Sequence, residues 1–297
     1  MPPYQPLSER VDKSPAVSVT PAFTWPRNFF DNRFVYTVIS PRARGLSVGI
    51  NMNPDRHCNF DCVYCEVNRE LPMLDQKLDV DVMAQELAKT LDLVRSGGIR
   101  EHPAFRGLSE DLLQLRHVAV SGDGEPTLCP NFAEAIEEVV LMRALRPHPF
   151  FKLALITNGT GLDLPAVQDG LQYFTTHDEI WVKLDAGAQA HVDRVNRSKV
   201  PLEKVVANLM LVGRKRPVII QSLFPLILGQ EPLPREIDDY IALLSNLKKG
   251  GARISLVQVY SATRPMAHSD CGHVRLKTLS QIRQRIKTET GLKAEVF

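Results

Sequence analysis

Three of the five cysteines, Cys58, Cys62 and Cys65, fall inside the eight residues CNFDCVYC, at spacings of four and three. Thiols set this close have three uses. A disulfide framework wants an even number of cysteines in a small secreted domain, which five cysteines in 297 residues do not provide. A structural zinc wants four tetrahedral ligands, usually from two paired motifs. No second Cys-x-x-Cys occurs, so the fourth ligand would have to be His57 or a distant Cys129 or Cys271. A [4Fe–4S] cube takes thiolates on its irons, and three thiolates from one loop leave one iron without a protein ligand. An open iron is a site for chemistry.

The elements that must position this loop read as alternating strands and helices. Residues 45–53, GLSVGINMN, read as a strand, and 79–94 as an amphipathic helix with apolar residues at helical spacing. Further strands are expected at 116–122, 151–159, 179–187, 217–224 and 252–261. Helical patterns cover 131–145, 162–173, 201–213, 234–248 and 274–290, and a short strand, KAEVF, ends the chain. Six strands alternating with helices imply an α/β fold of parallel strands joined by crossovers. In such sheets chemistry gathers at the carboxyl ends of the strands. The cysteine loop directly follows the first of them.

Residues 1–30 carry six prolines and read as an extended arm; 31–297 hold no repeat or linker and read as one domain. The 36 basic and 34 acidic residues leave a net charge of +2, short of the basic excess usual in a nucleic-acid binder. No run of about eighteen apolar residues exists to span a membrane. The start, Met1 to Pro6, lacks the layout of a secretory signal. A cytoplasmic location is expected, where thiols stay reduced.

The spacing Cys-x-x-x-Cys-x-x-Cys, with the aromatic Tyr64 before the last cysteine, resembles the signature of the radical S-adenosylmethionine (SAM) superfamily. SGDGEPTL at 121–128 resembles the superfamily's glycine–glutamate segment, and ITNGT at 156–160 its third-strand segment. The alternation resembles its partial (β/α)₆ barrel, a TIM-like arrangement of parallel strands. GINMNPDRHCNFDCVYCE, GDGEPTL, KLDAG and VQVYSATRP together most resemble the branch grouped with wyosine-forming tRNA-modification enzymes, where many bacterial members lack an assigned substrate. The resemblance implies two cofactors, a [4Fe–4S] cluster and S-adenosylmethionine chelating its open iron. It implies reductive cleavage to methionine and a 5′-deoxyadenosyl radical, which takes hydrogen from an unidentified substrate. The electron would come from a low-potential donor such as flavodoxin or ferredoxin.

Against that resemblance the strand-end residues take roles. Gly122 and Gly124 flank Asp123; they make either a tight turn or a close backbone approach to the cofactor. Glu125 is placed nearest the methionine ammonium, with Tyr64 also beside the cofactor. Alternation sets Trp181, Lys183 and Asp185 on one face. Lys183 then serves the cofactor carboxylate and Asp185 the ribose, or the two form an ion pair. Thr157 and Asn158 reach the ribose, or Asn158 makes a turn. Gln221 and Gln258 enter the barrel mouth with Tyr260, or join a core hydrogen-bond network. Arg194 and Arg197 bind an anion or lie on a solvated helix face. Cys129 reads as buried and inert.

The segment RPMAHSDCGHV, 264–274, follows the last barrel strand and places His268, Cys271 and His273 within six positions. It is expected beside the mouth, with Cys271 as a catalytic hydrogen-atom donor or as an incidental cysteine of an exposed loop. Two other functions compete with an unidentified substrate. One is tRNA base modification, from the branch resemblance. The other is a non-catalytic iron–sulfur or zinc protein, which would have no use for a cofactor pocket at Gly122–Glu125.

Overall fold

Alternation of apolar and polar residues along each strand decides which face packs and which stays open. Along 117–121, His117, Ala119 and Ser121 point one way and Val118 and Val120 the other, because side chains on a strand repeat every two residues. The same parity sets Trp181 and Lys183 against Ile180 and Val182. The computed structural model describes residues 29–69, 75–145, 150–263 and 271–297. The proline-rich arm and most of the 264–274 segment, His268 included, therefore lie outside the described residues.

Among the described residues the chain runs β1 (Val35–Ser40), β2 (Gly45–Asn51), α1 (Val80–Arg95), α2 (Glu110–Leu113), β3 (Leu115–Ser121), α3 (Phe132–Leu145) and β4 (Leu153–Thr157). It continues through α4 (Pro165–Gln172), β5 (Glu179–Lys183), α5 (Gln189–Val195), α6 (Leu202–Gly213), β6 (Val218–Leu223) and β7 (Pro225–Ile227). The last elements are α7 (Pro234–Lys249), β8 (Ile254–Tyr260), β9 (Cys271–His273), α8 (Leu276–Thr290) and β10 (Ala294–Val296). An eight-stranded sheet has the order β1-β2-β3-β4-β5-β6-β8-β10, and β7 pairs with β9 in a second, small sheet. Strands β2 to β6, β8 and β10 are parallel, while β1 is antiparallel to β2. This is the partial (β/α)₆ barrel, extended at both edges.

The outward residues Val118, Val120, Leu153, Leu155, Ile180, Val182, Ile220, Val257 and Val259 form one buried cluster with the inner faces of the helices, such as Met83, Leu87 and Leu91 of α1. Each such side chain contributes about 1.5–3 kcal/mol by leaving water. Helix α1 begins where Asp79 accepts from the Val82 N–H at 3.1 Å, and Arg95 stands in its last turn, where a cation meets the negative end of the helix dipole. Below the strands, the buried Asp178 accepts a paired contact from Arg143 of α3 at 2.8 and 3.2 Å, and the Leu153 N–H at 2.7 Å. That knot fixes α3 to β4 and β5.

Strand β1 was not among the expected strands, and it changes the inner face. Tyr36 stands opposite Gly49 of β2, and a Cβ there would collide with the tyrosine ring. The ring therefore lies across β2 and its hydroxyl meets Ser121 Oγ at 2.7 Å. The β1–β2 turn reaches the other edge of the sheet: Arg44 pairs with Glu295 of β10 at 2.6 Å, and Ala43 packs with Ala154, Trp181 and Ile219. Four turn residues thus close the seam of the open barrel.

Candidate active site

The loop carrying the cysteines is held from several sides. At the end of β3, the Glu125 N–H donates to the His57 carbonyl at 3.0 Å. A Cβ on Gly124 would strike that same carbonyl, and one on Gly122 would stand 2.8 Å from Asn51 Oδ1. These glycines let the loop seat directly on the strand end. After β4, Asn158 Nδ2 donates to Asn59 Oδ1 at 2.8 Å, and Asn59 donates to Thr160 Oγ1 at 2.9 Å. After α5, the Asp61 and Val63 N–H groups donate to the carbonyls of Asn196 and Val195 at 3.0 and 2.9 Å. Tyr64 donates to Asp185, which also accepts from Asn196 Nδ2 at 2.7 Å and the Leu223 N–H at 2.8 Å. Strand ends and the end of α5, met by the loop's own Asn59 and Tyr64, hold the cysteine loop in place.

Cys58, Cys62 and Cys65 line one cavity of about 440 Å³ with Tyr64, Gly122, Asp123, Gly124, Glu125, Thr157, Asn158, Lys183 and Gln221. That volume lies within the range of small-molecule sites. Most of the expected site residues are thus brought together. Among the described residues, no three His, Cys, Asp or Glu side chains converge as ligands of a single ion. The three thiols instead surround a common space, an arrangement that fits a cube in which each thiolate meets its own iron. Donor type and number are those such a cluster takes.

Three expected residues lie outside the cavity lining. Asp185 is the anchor of Tyr64 and Asn196 just described, and no ion pair joins it to Lys183 among the described residues. Gln258 accepts from Gln221 Nε2 at 2.9 Å, which is the core-network alternative; only Gln221 faces the cavity. Cys271 is 7 % exposed and packs in β9 with Val63, Tyr64, Leu223 and Tyr260. It stands behind the cysteine loop and is not in an exposed connector. Glu125 lines the cavity, yet its carboxylate accepts from the Thr127 N–H and hydroxyl, the Thr157 hydroxyl and the Asn158 N–H. It ties β3 to β4 rather than offering a bare charge. Arg194 pairs with Glu236 and Arg197 with Asp61. Cys129 is buried in the main core.

Burial and neighbouring charge shape the titrations. Burial pushes the Cys62 thiol up to about 12, against the pull of Lys183 and the hydrogen bond from Asn196. Burial likewise raises the Cys58 thiol, with a backbone hydrogen bond at Phe60 opposing it. A metal bound through either sulfur would have to displace its proton. Burial works against charge on Lys183, but Tyr260, Cys62 and Asp185 hold its ammonium above the ordinary range. That ammonium stands 5.3 Å over the Tyr64 ring. Burial raises the Glu125 carboxyl, although its hydrogen bonds oppose the shift.

Two contributors escaped the sequence reading. Asn196 Nδ2 lies 3.4 Å from Cys62 Sγ, and its only signal was its place between two arginines that were weighed instead. His117 lines the inner face in edge-to-face contact with Trp181 at 5.2 Å; the strand alternation set Trp181 on that face without naming its neighbour.

Comparison with known proteins gives the family. A UPF0026 protein of Helicobacter pylori (strain J99) is 24% identical over 167 residues, 55% of this chain and 46% of that protein. The chain spans about half the length of the curated relatives it matches. Streptococcus suis SuiB bound to precursor peptide SuiA superposes with a TM-score of 0.59 at 12% identity, over 86% of this chain and 49% of SuiB. TYW1 with a lysine-pyruvate adduct bound superposes at 0.56 with 16% identity, over 88% of this chain and 85% of TYW1. These structural likenesses speak to the fold. The family model for the Radical SAM superfamily matches residues 52–232, more than half of the sequence, and the chain belongs to that superfamily, whose cofactors are a [4Fe–4S] cluster and S-adenosylmethionine.

Proposed function

We propose that Cys58, Cys62 and Cys65 hold the cluster, that S-adenosylmethionine lies beside it under the ends of β3 to β5, and that a substrate fills the rest of the cavity. When bound, the cofactors supply one-electron reductive cleavage to a 5′-deoxyadenosyl radical that takes a hydrogen atom from the substrate. This chain's residues bind, orient and exclude water. Lys183, with no carboxylate at ion-pair distance among the described residues, takes the cofactor carboxylate. Gly122 and Gly124 keep the backbone close to the cofactor while seating the loop, and Thr157, Asn158 and Gln221 line the approach to its ribose. A low-potential donor such as flavodoxin or ferredoxin supplies the electron, in a cytoplasmic setting that keeps the thiols reduced.

The observation that carries this reading is that three thiols on one clamped loop face the same cavity as the strand-end residues. The test is anaerobic reconstitution with iron and sulfide, then assay of 5′-deoxyadenosine formation under a strong reductant. Wild type should be brown and active, and Cys62→Ala should lose cleavage while keeping its helical content. Full cleavage by Cys62→Ala would falsify the assignment, and a colourless zinc-loaded protein would overturn the proposed cluster.

A second reading, an RNA base as substrate, is supported by the resemblance of GINMNPDRHCNFDCVYCE, GDGEPTL, KLDAG and VQVYSATRP to the wyosine-forming branch. The net charge of +2 favours a small molecule instead. Comparing 5′-deoxyadenosine formation with bulk tRNA and with a metabolite extract separates the two.

A further inference from the structure

The charged residues that line the cavity fall into two sets. Glu66 and Arg69 stand on the cysteine segment, and Asp123, Glu125 and Lys183 stand at the ends of β3 and β5. Arg42 alone comes from the β1–β2 turn, on the seam of the barrel. Its guanidinium carbon lies 4.3 Å over the Tyr260 ring, and its Nε is buried with no hydrogen-bond partner. No carboxylate among the described residues pairs with it. A guanidinium offers five N–H donors in a fixed fork that matches an oxyanion, and taking it from water without a partner is costly. The tyrosine face offsets part of that cost; it leaves the buried Nε without an acceptor.

The surroundings of Arg42 suit a compact ligand. Ser47, His117 and Trp181 line the cavity wall and are 3 %, 2 % and 3 % exposed. Burial, with the nearby positive charges of Lys152 and Arg42, lowers His117 to about 3. The imidazole is neutral at pH 7 and does not compete with Arg42 for an anion. Tyr36 and Ser121 add hydroxyls joined at 2.7 Å. This part of the cavity holds one half-buried cation, neutral polar groups and aromatic walls.

We propose that Arg42 is the anion-recognising residue of the substrate subsite, which takes a small oxyanion-bearing molecule, a carboxylic acid or a phosphate ester. The assignment rests on reading the cysteine side of the cavity as the cofactor's. It also gives the extra strand β1 a role: closing the seam delivers the arginine.

The probes are inorganic phosphate and succinate, titrated calorimetrically into wild type, Arg42→Gln, Arg42→Lys and Lys183→Gln, with S-adenosylmethionine present to occupy the cofactor side. Wild type should bind at least one probe saturably, and the stronger probe tells phosphate from carboxylate. Arg42→Gln should weaken that binding roughly tenfold or more, as expected when a charge-assisted hydrogen bond is lost. Arg42→Lys should retain part of it, and Lys183→Gln most of it. Should Arg42→Gln lose its melting transition, Arg42→Met repeats the test with the aliphatic stem kept over Tyr260. Equal affinity in wild type and the neutral Arg42 variant, no saturable binding by wild type, or loss in Lys183→Gln alone overturns the proposal. Wild-type cleavage of S-adenosylmethionine is read separately. Cleavage with unchanged anion affinity removes only the Arg42 assignment, and anion binding lost with Arg42 in a protein that never cleaves removes only the function proposed above.

Discussion

Asp185 shows how a buried carboxylate at a strand end becomes a fastener. Three donors meet it, from Tyr64, Asn196 and the Leu223 backbone, and one of those donors also touches Cys62. Asp185→Asn removes the charge and presents an amide N–H to groups that are themselves donors, so at least one bond is lost at about 1–3 kcal/mol. We expect the melting temperature to fall by several degrees, at about 2–4 °C per kcal/mol for a chain of this size, with S-adenosylmethionine affinity changing far less. A variant that melts like wild type but no longer binds the cofactor would return Asp185 to the ribose. Strand parity placed this carboxylate on the inner face, and did so correctly for Lys183. It gave no view of Tyr64, 121 residues away, and the choice between ribose and protein partner depended on that long-range contact.

Strands and helices positioned by period and turn residues were largely readable, because β2, β3 and β5 carry both alternation and a polar residue where they end. β1 was harder. The run RFVYTVIS has β-strand composition, yet its role depends on a gap in another strand, Gly49, beneath Tyr36. For the Gly122 and Gly124 pair, sequence set a cofactor contact above a tight turn because the cysteine loop follows the neighbouring strand. The structure adds a third use, the docking of one element on another. Gly124→Ala tests it. The added methyl must push the His57 carbonyl, and with it the first cysteine, away from β3. Overpacking of this kind costs about 1–3 kcal/mol, and the displaced loop should bind less iron per chain after reconstitution while far-UV circular dichroism stays near wild type. Wild-type iron content and melting in Gly124→Ala would show that the loop seats without that contact.

Across the whole molecule, one parity rule divides the sheet into an outer face that stabilises and an inner face that is free to carry polar groups. His117 is where the second face draws on the first. Its imidazole is buried among aromatic and cationic neighbours, which lowers its folded-state value to about 3, against about 6.5 in an unfolded chain. Between those values the unfolded chain holds the proton and the folded chain does not. The stability this group contributes is therefore complete above about pH 6.5 and is lost as pH falls toward 3, at about 1.4 kcal/mol per pH unit. Glu125 works in the opposite sense, since its raised carboxyl favours the folded state as pH falls. Asp178, held below the usual carboxylate range by Arg143 and backbone N–H groups despite its burial, works in the same sense as His117. Comparing wild type with His117→Asn cancels both. Urea unfolding at intervals from pH 7 to pH 4.5 should show the stability of wild type relative to the variant falling with that slope. A difference that stays constant over the range would mean the imidazole takes up its proton in the folded protein, and the wall around Arg42 would then carry a second cation.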